Sequence, residues 1–349
     1  MAGLTTTAPE AAWRRLAARR AGAIGAGFAA LLATVTLDIA TGPALLGPGA
    51  VARALLGLSD DAMVVTIVWS LRLPVALMAV LVGAALGLTG AVMQTVLNNA
   101  LASSYTVGIS SGAGFGAALV IVCGAMLPLP EAFAVPLSAF LFAALACGCV
   151  WGLGGRRGAT AETLVLAGIA LMFLFQALLA LLQFIASPEA LQQIVFWLFG
   201  SLQRATWAKL GIVAAILAAA APLLARDAWA LTALRLGEER AAALGIGVRA
   251  LRFRALAFVA VVTGAAVAFV GTIGFVGLVA PHVARMLLGE DQRWLLPGAA
   301  LAGALLLSAA SVASKTIAPG ALFPIGIVTA LVGVPFFAWL VLSTRRAQA

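Results

Sequence analysis

Residues 226–254 form a polar, basic island between two hydrophobic segments. The island carries Arg226, Arg235, Arg240, Arg249, Arg252 and Arg254, and the run Leu236-Gly237-Glu238-Glu239-Arg240-Ala241-Ala242-Ala243-Leu244-Gly245. Gly237 interrupts the preceding segment. Glu238 and Glu239 fall in the first turn of a short helix, where carboxylates meet the positive end of the helix dipole. Ala241 to Leu244 then supply a small apolar face. Gly245 is placed to end the helix in the left-handed conformation. The chemistry open to this pattern is recognition. A compact helical knob with few bulky side chains fits a groove on a partner protein. A loop facing lipid headgroups satisfies the same pattern equally well.

Other chemistries are excluded by what the chain lacks. The apolar segments are read as nearly free of ionisable groups, with no Asp/Glu relay, no intramembrane lysine and no arginine ladder. Ion-coupled pumps and exchangers use such groups at membrane depth. A GxxxxGK[ST] phosphate loop is absent. If transport is active, its energy comes from another polypeptide. A membrane enzyme would need clustered His, Asp or Glu, and a haem or metal site would need more than the single His282. Cys123, Cys147 and Cys149 all lie in apolar segments and read as small core residues, neither a disulfide nor a metal site.

These residues must be positioned by helices that cross a bilayer. Hydrophobic residues make up 64% of the 349-residue chain and charged residues only 9%, where a soluble domain carries about 25%. The apolar runs do not alternate with polar residues, so a β-barrel is excluded. The fold class is an all-α polytopic membrane protein. A span needs about 20 apolar residues, and candidates fall near 21–40, 74–97, 107–127, 134–153, 164–186, 207–225, 254–271, 273–288, 295–314 and 322–343. Pro281 makes the eighth the least regular. Arg14, Arg15, Arg19 and Arg20 precede a first apolar run long enough to span, so it reads as a span and not as a cleavable signal.

The +9 net charge suits cytoplasmic loops better than nucleic acid. With ten spans and an inside N-terminus, 16 of the 21 basic residues lie inside, among them Arg156, Arg157, Arg285, Arg293, Arg345 and Arg346. Arg53, Arg72, Arg204, Lys209 and Lys315 lie outside. Both termini are therefore expected in the cytoplasm. The expected organisation is a tail over 1–20, one transmembrane domain over 21–343 with its island at 226–254, and a tail over 344–349. Two outer segments, 41–72 with Pro43 and 186–206 with Trp197 and Trp207 nearby, read as short interfacial helices. The apolar stretch 63–71 is too short to span. Gly83, Gly87 and Gly90 share one face of the second span and suit close helix contact.

Several of these stretches resemble the FecCD-type permeases, the membrane subunits of type II ABC importers for iron-siderophores, haem and cobalamin. Leu71-Arg72-Leu73-Pro74 followed by Gly83–Gln94 is similar to the family's second span. Asn99-Ala100-Leu101-Ala102 and Gly108–Ala113 resemble its NPLA and G-[VI]-S-x-GA motifs. Gly237–Gly245 is similar to its coupling region. Gly274–Arg285, with Pro324–Ala330, looks like its C-terminal signature.

The resemblance implies ten spans per subunit, a homodimer with the path on its two-fold axis, and a bacterial inner-membrane location. It implies two cytoplasmic ATPase subunits on the coupling residues Gly237, Glu238, Glu239, Arg240, Ala241, Ala242, Leu244 and Gly245. ATP and Mg2+ are expected on that partner, and no cofactor or metal on this chain. A periplasmic substrate-binding protein would dock on Arg72 and Lys315. The cytoplasmic gate would use Asn99 and Leu101 with Thr160, Glu162 and Thr163, and His282 would be structural. Iron-siderophore is the first cargo expected, with haem and cobalamin as alternatives. A stand-alone secondary transporter is the disfavoured rival. The chain departs from the family pattern at Ala100 for proline, Val75 for arginine, Ser311 for aspartate and Leu322-Phe323 for an acidic-aliphatic pair.

Overall fold

A computed structural model describes residues 7–42, 46–124, 129–155, 158–317 and 323–346. Pro43, Arg156, Arg157, Leu322, residues 125–127 of the third candidate span and the outermost residues of both tails lie outside that description. Among the described residues every regular element is a helix, in the order α1 Thr7–Ala40, α2 Pro48–Leu55, α3 Ala62–Thr66, a π turn Ile67–Arg72, α4 Leu73–Val96, α5 Ile109–Cys123 and α6 Glu131–Gly155. There follow α7 Ala161–Ile185, α8 Pro188–Leu198, α9 Trp207–Leu234, α10 Glu238–Ala243, α11 Val248–Val270, α12 Val276–Leu288, α13 Gln292–Thr316 and α14 Ile325–Arg346. Seven segments are long and apolar enough to cross a membrane. Shorter apolar helices at Ile109–Cys123, Val276–Leu288 and Ile325–Ala338 occupy the other three expected positions.

The second span differs from its sequence reading. Residues 63–71 are not a separate interfacial piece. They continue into α4, so that Ala62–Val96 is one segment of 35 residues. Pro74 accounts for the π turn before it. Its missing N–H and its ring both act on the preceding turn. There the chain widens, and the Leu73 N–H reaches back to the Val68 carbonyl. The short helices α2 and α8 do lie in the two segments expected to hold them. Trp207 is half-exposed and donates its ring N–H to the Trp69 carbonyl at 2.9 Å, whereas Trp197 is buried in the core.

The span Ala62–Val96 is the most enclosed of the long segments. Within it, α4 packs against α13, α12, α11, α9 and α1. Its sequence is apolar all round, as a helix surrounded by others must be. Lipid is as apolar as leucine, so close backbone approach and polar contacts, not burial from water, select this arrangement. Gly83 and Gly87 face the α13 backbone at Gly303 and Ala299, and Gly90 faces the α12 carbonyl of Gly277, each too close for a Cβ. The expected glycine face is thus the seam for two partner helices. A second layer forms from α5, α6 and α7, joined to the first by α11. Cys147 donates its thiol to the Leu256 carbonyl across the α6–α11 contact. His282 meets Phe336 edge to face, with centroids 6.3 Å apart, linking α12 to α14.

Candidate functional site

The knob forms as its residues dictate. Gly237 takes φ 106° and turns the chain out of α9. Glu238 and Glu239 open α10, and Gly245 closes it at φ 81°. Two bonds satisfy its last carbonyls: Gly245 N–H to Ala242 O at 2.9 Å and Ile246 N–H to Ala241 O at 3.1 Å. This is the paired termination of a Schellman motif. The expected apolar face divides in two. Ala241 is fully buried against its own chain, while Ala242, Ala243 and Leu244 are exposed. Ala241 anchors the knob, and its neighbours present it.

One side chain that sequence reasoning left among the basic loop residues organises this end. Arg252, in the second turn of α11, is buried. Its guanidinium donates to Glu238 Oε2 at 3.0 Å, to the Ala159 carbonyl at 2.9 Å and to the Val96 carbonyl at 3.4 Å. A second fork of the same group reaches Glu238 Oε1. Val96 is the last residue of α4, and its carbonyl is one of the acceptors a helix end leaves open. Ala159 immediately precedes Thr160, the N-cap of α7.

Those two attachment points carry the expected gate residues. After Val96 the chain turns through Asn98 at φ 44°. The Asn99 side chain accepts from the Leu101 N–H at 2.9 Å, which fixes the turn, and Leu101 stays exposed. Before α7, Ala159 sits at φ 52°. The Thr160 hydroxyl caps the helix by accepting from Thr163 N–H at 3.3 Å, and Glu162 is exposed in the first turn. The structure therefore brings the knob, the end of α4 just ahead of the Asn99 turn, and the residue before Thr160 onto one guanidinium.

A second polar cluster lies at the same end. Arg235 bridges Asn98 Oδ1 at 3.3 Å and Glu290 at 3.0 Å. Arg285 pairs with Glu290 at 3.2 Å and donates to Gln94 Oε1 at 3.0 Å. Gln292, fully buried, donates to Thr95 Oγ1 at 3.0 Å. Asp291 caps α13, and its hydrogen bonds from Arg293 hold its carboxyl below the usual range. The last turn of α4 is thus tied to α9, α12 and α13 by side chains as well as by packing.

At the opposite end Arg72 is buried and the Lys315 side chain is 4% exposed, and both are engaged within the chain. Arg72 donates to the carbonyls of Ile39 at 2.9 Å and Ala40 at 2.8 Å. Lys315 donates to the Asp38 carbonyl at 3.0 Å and to its carboxylate at 2.8 Å. The cause is the C-terminus of α1, whose last carbonyls need donors and whose negative dipole end favours cations. The spans are also not free of charge: Asp38 is fully buried in α1. Ser311, where the resemblance leads one to expect aspartate, donates to Asp38 Oδ1 at 2.8 Å. The carboxylate at this position is supplied from another helix.

Comparison with known proteins agrees with this architecture. The model of the FecCD transport family matches residues 30–343. The chain belongs to the FecCD transport family. Among curated relatives, it is 39% identical over 284 residues to the hemin transport system permease protein HmuU of Yersinia pestis, covering 81% of this chain and 85% of that one. It is 35% identical over 318 residues to the Fe(3+)-citrate import system permease protein YfmE of Bacillus subtilis, with 91% and 94% covered. It is 38% identical over 281 residues to the vitamin B12 import system permease protein BtuC of Serratia proteamaculans, with 80% and 83% covered. A solved structure of an ABC transporter assigned to the metal-chelate type, in an inward-facing conformation, superposes with a TM-score of 0.82 at 31% identity, over 92% of this chain and 98% of that one. As a FecCD member, this chain is a transmembrane permease subunit of an ABC transporter. The family implies ATPase and substrate-binding partners in a membrane setting. In this FecCD chain the knob, the end of α4 and the residue before the α7 cap are bonded to one side chain, Arg252.

Proposed function

We propose that this chain is the translocation subunit of an ATP-driven importer that moves a metal-chelate, with an iron-siderophore as the first cargo class. The observation that carries this reading is the exposed knob at Gly237–Gly245, bonded through Glu238 and Arg252 to the end of α4, just ahead of Asn99, and to Ala159, beside Thr160. In this reading Ala242, Ala243 and Leu244 enter a groove on each of two ATPase subunits. Hydrolysis there moves the knob, and the turns at Asn99–Leu101 and Thr160–Thr163 open or close the inner mouth. Relatives named for haem, ferric citrate and cobalamin support the cargo class and leave its members as alternatives to one another.

The functional unit is a homodimer in the bacterial inner membrane, with both termini and the basic end in the cytoplasm. The clustering of Arg235, Arg252, Arg254, Arg285 and Arg293 at the knob end supports that orientation. A periplasmic binding protein docks at the other end. With Arg72 and Lys315 buried, the exposed Arg53 and Arg204 are the cations suited to meet its acidic lobes.

The deciding experiment reconstitutes the chain in liposomes with its ATPase and binding-protein partners. Uptake of labelled ferric siderophore, haemin and cobalamin is then followed with and without ATP. ATP-dependent uptake of the siderophore supports the full reading. Uptake of haemin or cobalamin alone reassigns the cargo. ATP-independent uptake would sink the ATP-driven reading, and uptake of none of the three would sink the siderophore assignment.

A further inference from the structure

We infer that Arg252 is the positioning residue through which the knob moves the two gate turns, acting as the rigid link between ATPase contact and gate. The inference rests on the coupling reading proposed above and assigns its transmission to one side chain.

Three observations on separate elements converge. First, the Arg252 side chain is 3% exposed, although it sits only one turn into α11 at the polar end of the molecule. A guanidinium shielded this far from water is retained only where its donors are used. Second, its bonds go to three segments far apart in sequence: α10 at Glu238, the end of α4 at Val96, and the turn before α7 at Ala159. A planar fork with fixed donor geometry holds its acceptors in one relative arrangement, which a flexible ammonium does not. Third, each gate turn carries a non-glycine residue in the left-handed region, Asn98 and Ala159. Such conformations cost about 1–3 kcal/mol and persist only when their surroundings hold them. Arg252 bonds Ala159 itself and the residue two before Asn98. Displacing Glu238 therefore pulls on the guanidinium, and through it on the strained Ala159 and on the end of α4 just ahead of Asn98. Glu238 is half-exposed, as the driven end of such a link must be, whereas Arg252 is enclosed.

The test uses the full permease–ATPase complex in lipid nanodiscs. An environment-sensitive fluorophore is placed at Tyr105→Cys, an exposed position beyond the Asn99 turn, with Cys123, Cys147 and Cys149 replaced by serine. The readout is the spectral change on adding ATP, Mg2+ and vanadate, per bound ATPase. Arg252→Lys keeps the charge and loses the fork. Its response is expected to fall about fivefold or more, the low end of an allosteric coupling energy. Glu238→Gln keeps the guanidinium and both carbonyl bonds, and its response falls in the same direction. The double variant falls no further than Arg252→Lys alone. A merely structural role would lower thermal stability and leave the response per bound ATPase unchanged. That result, or additive losses in the double variant, overturns the inference. Should Arg252→Lys not fold, Glu238→Gln decides alone: an unchanged response overturns the link, and a reduced one supports it. If the ATPase does not co-purify with the parent chain, the coupling reading itself fails and takes the inference with it.

Discussion

At the scale of single residues, this protein puts its buried charges to work closing helix ends. Asp38, Lys315 and Arg72 share one junction at the C-terminus of α1, and Arg252 serves the C-terminus of α4. Removing one member of a buried pair leaves an uncompensated charge, at a cost of about 3–5 kcal/mol. Lys315→Met should therefore lower the melting temperature of the purified permease clearly. Combining it with Asp38→Asn should recover most of that loss, because both charges then go together and the amide oxygen still accepts from Ser311. Scanning fluorimetry in detergent reads both, and a double variant no more stable than Lys315→Met would contradict the pairing. Asp38 and Lys315 are each visible in the sequence as a lone charge closing an apolar run. Their partnership is not visible, because 277 residues separate them. Arg252 gave less signal still. Two of its acceptors are backbone carbonyls, and any residue supplies those.

At the scale of elements, the chain trades side-chain size for closeness. Gly90 on α4 lies against the Gly277 carbonyl of α12, where a Cβ has no room. Gly90→Val should force α4 and α12 apart and cost at least the 1–3 kcal/mol (roughly) of an overpacked core. Loss of folded permease after detergent extraction would report it, and full recovery of folded protein would show that the seam can yield. In α10 the three alanines differ by what they touch. Ala242→Trp projects from the exposed face and should weaken ATPase co-purification while leaving insertion intact. Ala241→Trp has no space within the chain and should disturb the permease itself. Unimpaired ATPase binding by Ala242→Trp would favour a loop that faces lipid, since tryptophan suits the membrane interface. The knob was legible in sequence because its signals are local: two glycines with positive φ, two carboxylates in one turn and a run of alanines. The π turn was not read, although Pro74 announces it. A proline alone does not say whether a helix breaks or widens, and here packing around Arg72 and Leu73 keeps it continuous.

At the scale of the whole molecule, the opposite ends differ in charge, and the bilayer fixes which faces the cytoplasm. Single cysteines at Glu131 and Arg240, in the background lacking the native three, test the orientation. An impermeant thiol reagent added outside should label the first and spare the second. The reverse pattern would invert the proposed topology. The sequence by itself determined the class of molecule, the number and order of the apolar helices and the form of the knob at Gly237–Gly245. Each is set by local composition: a span needs only its own greasy residues, and a cap needs only its neighbours. The tertiary structure alone decided that Arg72 and Lys315 turn inward, that Asp38 stands in at Ser311, and that Arg252 gathers the knob, the end of α4 and the turn before α7. Those outcomes depend on which helix end lies beside which donor. A carbonyl left open at the end of α1 or α4 has no mark in the sequence until packing brings an arginine or lysine to it.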